Sequence, residues 1–70
     1  MSLLRYEVDL RSLSDTEKEK YRQLLERVSE TGLSITPIPG VFQFYLDERE
    51  SPAAYIKNDR IPLHLVPYRS

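Results

Sequence analysis

Gly32-Leu33-Ser34-Ile35-Thr36-Pro37-Ile38-Pro39-Gly40-Val41-Phe42-Gln43-Phe44-Tyr45-Leu46 is the stretch whose reading decides the fold. It divides at Pro39-Gly40, a pair suited to the centre of a type II turn, with proline second and glycine third. The arm before the turn, Leu33 to Ile38, reads as a strand with Leu33 and Ile35 inward. Ser34, Thr36 and Ile38 take its other face. Pro37 and Pro39 have no N–H to give to a ladder, so this arm belongs at a sheet edge. The arm after the turn, Val41 to Leu46, alternates Phe42, Phe44 and Leu46 with Val41, Gln43 and Tyr45. It holds no breaker and can sit in the sheet interior.

Upstream, Leu4, Tyr6, Val8 and Leu10 alternate with Arg5, Glu7 and Asp9, a period of two that predicts a half-buried strand. It too lacks glycine and proline and suits the centre. Ser14-Asp15-Thr16-Glu17 is a capping box, with Ser14 as N-cap and Glu17 at the third helical position. Tyr21, Leu24, Leu25 and Val28 recur at helical spacing as one apolar stripe. The Glu19–Arg22 and Gln23–Arg27 spacings fall on the polar side. Gly32 suits a left-handed stop, so the spacing predicts a helix over 15–31.

Downstream, Asp47-Glu48-Arg49-Glu50 reads as a polar connection. Ser51-Pro52 then opens a short second helix, with Ser51 as N-cap and Pro52 where its missing N–H costs nothing. Asn58 can end it in a left-handed conformation. The competing reading is a strand Tyr55–Lys57 that turns at Asn58-Asp59. The last strand places Ile61, Leu63 and Leu65 inward and Pro62, His64 and Val66 outward. Pro62 marks it as an edge.

Two proline-bearing strands at the edges and two proline-free strands between them fit the ferredoxin-like βαββαβ sandwich. That is an α+β fold with a four-stranded antiparallel sheet in the order 4-1-3-2. If the second helix is instead a strand, the fold is a βαββ core with a C-terminal hairpin. The helices then bury Leu4, Tyr6, Val8, Leu10, Leu33, Ile35, Phe42, Phe44, Leu46, Ile61, Leu63 and Leu65, and the other sheet face stays bare.

The chain has 70 residues, room for a single domain. At this size only about 60% of the unfolded chain's surface is buried on folding, so a staple is expected. With no cysteine and one histidine, disulfides, thiolate zinc and a His-rich site are excluded, leaving oligomerisation. Ten Lys+Arg against eleven Asp+Glu give a formal charge of −1. That is not the basic footprint of a nucleic-acid binder. No apolar run reaches the ~20 residues a membrane span requires. Met1-Ser2-Leu3-Leu4-Arg5 does not read as a secretory leader, so a cytoplasmic location is expected.

Fold alone assigns no function, so each constellation is weighed on its own chemistry. RNA-recognition motif domains stack bases on aromatics of the first and third strands. Here only Tyr45 points outward, beside Glu7 and Asp9, which repel phosphate. Cysteine-based metal carriage is excluded. Small-ligand regulatory domains have a glycine near the first strand–helix turn, where Leu10-Arg11-Ser12-Leu13-Ser14 has none. In spacing, Tyr6-Glu7-Val8-Asp9-Leu10, Gly32 and Val41-Phe42 resemble the small nuclease subunits of CRISPR adaptation systems. That resemblance implies Asp9 carboxylates across a dimer holding Mg²⁺. The plainer reading of an aspartate at a strand end is a turn or cap residue. His64 can face Glu7 across neighbouring strands, but no nucleophile accompanies them.

The surface reading is a partner-binding face of Ile38, Val41, Gln43, Tyr45, Pro62, His64 and Val66, with Tyr68 nearby. These residues predict a non-catalytic interaction or regulatory domain that acts as a homodimer or as a small subunit of a complex. Its partner is a protein or a second copy, with no cofactor, no metal, no membrane and no nucleic acid. The alternative is a nucleic-acid-directed protein, a Mg²⁺-dependent nuclease subunit using Asp9. The patterning does not distinguish the sheet face from a sheet edge as the contact.

Overall fold

The computed structural model describes residues 2–66; Tyr68 lies outside them. The elements follow the order β1 (Leu3–Asp9), α1 (Asp15–Val28), β2 (Ser34–Ile35), β3 (Val41–Asp47), a single 3₁₀ turn (Pro52–Ala54) and β4 (Leu63–Val66). The sheet runs β2-β3-β1-β4, the same series as 4-1-3-2 counted from the opposite edge. Each of the three pairings is antiparallel. The two seven-residue strands β1 and β3 hold the centre, where every N–H must find a carbonyl, while Pro37 and Pro62 lie just outside the short edge strands β2 and β4.

The alternation of β1 and β3 locks their register. Leu4, Tyr6 and Val8 stand opposite Leu46, Phe44 and Phe42, and Tyr6 and Val8 meet Leu65 and Leu63 of β4. Val8, Phe44 and Leu46 are fully buried, together with Leu10 and Leu25. Tyr6 stacks on Phe44 with ring centroids 5.6 Å apart. Such a pair adds about 0.5–1.5 kcal/mol beyond its area.

At the start of α1, the Ser14 hydroxyl accepts the Glu17 N–H at 3.3 Å and lies 3.3 Å from the Glu17 carboxylate. The helix ends at Val28, three residues before the spacing suggests. The cause is tertiary. Ser29 Oγ accepts the Tyr45 N–H at 2.9 Å, and the Glu30 N–H donates to the Tyr45 carbonyl at 3.0 Å. The chain after α1 thus satisfies β3 where β2 is absent. Gly32 has φ +78°, but as part of the loop rather than as the helix stop. Glu26 closes that loop by accepting the Leu33 N–H at 2.6 Å.

β2 is two residues long, where the pattern suggests six. Pro37 cannot donate, and the Thr36 hydroxyl bonds the Ile38 and Val41 carbonyls and accepts the Ile38 N–H. The strand therefore leaves the ladder at Thr36. The Pro39-Gly40 turn is as read: the Val41 N–H reaches the Ile38 carbonyl at 3.1 Å, and Gly40 has φ +88°.

The second helix contracts to one turn. Ser51 accepts the Ala53 N–H, and the Tyr55 and Ile56 N–H groups both reach the Pro52 carbonyl. Asn58 is not left-handed, since no residue other than glycine among those described has positive φ. Its side chain accepts the Arg60 N–H at 2.9 Å in a local turn. Ile56 and Ile61 still drop into the core.

With one helix above it, the sheet's inner face is covered at the centre and bare at the rims. Ile35, expected inward, is 84% exposed, and Leu65 is 57% exposed. Leu4, Tyr6, Leu33, Phe42 and Leu63 are half-buried rather than sealed. α1 packs chiefly over β3, which leaves the edge strands less covered.

Candidate functional site

The face away from α1 is built in rows that cross the strands. Ser34, Gln43, Glu7 and His64 stand side by side, one from each strand. The neighbouring row is Tyr45, Arg5 and Val66, and beyond it lie Asp47 and Leu3. In the other direction Asp9 faces Val41 and donates its N–H to the Pro62 carbonyl at 3.0 Å. Among the described residues no helix lies on this face.

The expected surface residues divide accordingly. Gln43 and His64 flank Glu7, while Tyr45 and Val66 flank Arg5. Arg5, Glu7, Gln43, Tyr45 and Val66 are half-buried, and His64 and Pro62 are exposed. Val41 is withdrawn from the surface, at 4% exposure. Ile38 sits in the turn between β2 and β3, 48% exposed, at the opposite end of β3 from Tyr45. The apolar members are therefore not one contiguous patch. They flank a charged midline formed by Arg5, Glu7 and Asp9 of β1.

Asp9 acts as a turn residue. Its Oδ1 accepts the Arg11 backbone N–H at 2.9 Å and the Arg11 Nε–H at 3.0 Å, and its Oδ2 accepts Nη2–H at 2.7 Å. The Arg11 side-chain bonds, then the Arg11 backbone bond, lower the Asp9 carboxyl to about 2, with a smaller pull from His64. Asp47 repeats the device at the end of β3. Its Oδ1 accepts the Arg49 N–H at 2.9 Å and Nε–H at 3.1 Å, and the backbone bond leads in holding its carboxyl below the usual range. Asp-x-Arg at 9–11 and 47–49 is the sequence signal for this device. Among the described residues no group of three or more His, Cys, Asp or Glu could hold a metal ion.

Two features of the face were not legible beforehand. Leu3 is 40% exposed and lines an open hollow with Ser2, Thr31 and Tyr45. The Tyr45 backbone is held by Ser29 and Glu30, so the loop after α1 fixes the residue at the head of its row. Compared with protein-family models, curated proteins and solved structures, the chain matches none. No helix among the described residues is long and apolar enough to cross a membrane.

Proposed function

We propose that the chain is a non-catalytic interaction domain, a ferredoxin-like arrangement with its second helix reduced to a turn, which self-associates through the open sheet face. The observation that carries this reading is that, among the described residues, a helix covers only one face of the four-stranded sheet, with Tyr45 and Val66 half-buried across Arg5 on the other. The charges there suit a two-fold pairing. Arg5 and Glu7 are two residues apart on β1, so an antiparallel stack sets each Arg5 against the other copy's Glu7.

Area sets the strength of such a contact. Four strands about 4.8 Å apart and seven residues at about 3.3 Å give at most roughly 440 Å² of projected face per copy. The total of at most roughly 880 Å² falls short of the ~1,000 Å² that a stable specific interface clears, so the dimer is a weak and dissociable one. The nuclease alternative would need the Asp9 carboxylate, whose hydrogen bonds among the described residues go to Arg11.

Sedimentation equilibrium of the wild type and of Tyr45→Glu tests this reading. The wild type should show a concentration-dependent dimer, and the variant a monomer with an unchanged circular dichroism spectrum. A wild type that stays monomeric at high concentration would overturn it.

A further inference from the structure

β3 has an apolar knob at one end and a hollow at the other. The knob is the turn that leads into β3, where Pro37, Ile38 and Pro39 are all exposed. Its shape is fixed before any partner arrives. The Thr36 hydroxyl accepts the Ile38 N–H at 3.1 Å and lies 3.1 and 2.9 Å from the Ile38 and Val41 carbonyls. The Val41 N–H closes the turn on the Ile38 carbonyl, and two prolines restrict the backbone between. A tip ordered in this way loses little conformational entropy when it docks.

The hollow, of about 600 Å³, is lined by Ser2, Leu3, Thr31 and Tyr45, none of them charged. Leu3 and Tyr45 stand on the open face in neighbouring rows, and Ser2 is level with Glu48, whose N–H donates to its carbonyl. The hollow therefore lies beside the C-terminal half of β3.

A two-fold axis relates these two ends. The stacking that sets Arg5 against the other copy's Glu7 puts the axis level with Tyr6, and hence with Phe44 of β3. Each β3 then runs antiparallel over its counterpart, with Tyr45 set against Gln43 and Asp47 against Val41. The turn beyond Val41 thus reaches the other copy at the end where the hollow opens. The same rotation sets Asp9 against Leu3, and that carboxylate is already paired with its own Arg11 at 2.7 Å.

We infer that the turn Pro37-Ile38-Pro39 of each copy seats in the hollow of the other, Ile38 entering beside Tyr45 and Thr31. This rests on the self-association proposed above and names the contact that fixes its register. The apolar residues at the two ends of β3 are separate within one chain and meet across the axis. Two such contacts also supply area beyond the flat faces, which alone fall short of a stable interface.

The chain has no cysteine, so a disulfide between introduced ones reports this contact alone. Ile38→Cys and Thr31→Cys proteins, mixed at high concentration and oxidised in air, should yield a mixed disulfide dimer. Ile38→Cys by itself should stay unlinked. Its two copies of residue 38 lie more than about 20 Å apart across the axis, whereas a disulfide needs Cα atoms within ~7 Å. Ile38→Asp, a change at an exposed turn position, should raise the dimer dissociation constant about tenfold or more in sedimentation equilibrium. A wild type that dimerises while the mixture gives no mixed disulfide would overturn the inference and leave the face reading standing. So would an unchanged dissociation constant in Ile38→Asp where Tyr45→Glu is monomeric, or ready cross-linking of Ile38→Cys to itself. A monomeric wild type would remove both readings together.

Discussion

Replacing Ser29 with alanine removes one oxygen atom and tests how the site is held. Ser29 is 7% exposed, and its hydroxyl is the acceptor for the Tyr45 N–H at 2.9 Å. Alanine fits the space but leaves that amide without its acceptor. Leaving a fully buried donor unsatisfied costs about 1–3 kcal/mol, and this half-buried one lies toward the low end of that range. At ~0.05–0.15 kcal/mol per residue, a domain of this length is stable by roughly 3.5–10 kcal/mol, so the loss is a large share of the whole. In a domain of this size each kcal/mol moves Tm by about 4–8 °C. Urea unfolding of wild type and Ser29→Ala should therefore give a lower midpoint with an unchanged m value. Native-state hydrogen exchange should show Tyr45 losing more protection than its strand neighbours Phe44 and Leu46. A stability change below ~0.3 kcal/mol, with the Tyr45 amide still protected, would refute the claim that the loop after α1 anchors β3.

Two further perturbations probe the turns. The Asp9 carboxyl is lowered from 3.8 to about 2, so its stabilisation is complete above about pH 4 and is lost as pH falls toward 2. With the Arg11 side chain 57% exposed, solvent screens the pair and its contribution to stability is small. The stability gap between wild type and Asp9→Asn should close over that interval in a pH series of urea melts, and a gap independent of pH would contradict the assignment. At Gly40, φ is +88° and an added Cβ would lie 2.6 Å from Arg11 Cγ. Gly40→Ala should destabilise by more than the ~1 kcal/mol that such a change gains at compatible sites. A neutral Gly40→Ala in thermal melts would contradict the strained turn.

Much of the fold was legible because its determinants are local. The period of two in Leu4–Leu10, the Ser14/Glu17 box and the Pro39-Gly40 turn each act within a few residues, and the structure keeps all three. The prolines marked the edges by a chemical rule, since a residue without an N–H cannot sit between two strands.

What escaped depends on distant neighbours. No spacing in 15–31 shows that the Ser29 hydroxyl will meet a backbone amide sixteen residues on and end the helix early. The alternation in Leu33–Ile38 gives Ile35 an inward face correctly, yet it cannot show that no helix lies above that edge. Val41 was assigned to the open face by parity, and its register agrees, but its burial comes from the chain around it. The open face was thus readable row by row, whereas which residues on it remain accessible was not.

The central proposal is that two copies of the chain meet through the sheet face away from α1 and not through the helix side. Relaxation by a soluble paramagnetic agent, measured by NMR on dilute and concentrated protein, addresses it directly. Signals of Gln43, Tyr45, His64 and Val66 should become shielded as concentration rises, while Ile35 and Leu65 on the helix side stay as exposed as before. Shielding of Ile35 or Leu65 with the Tyr45 row unchanged would contradict it.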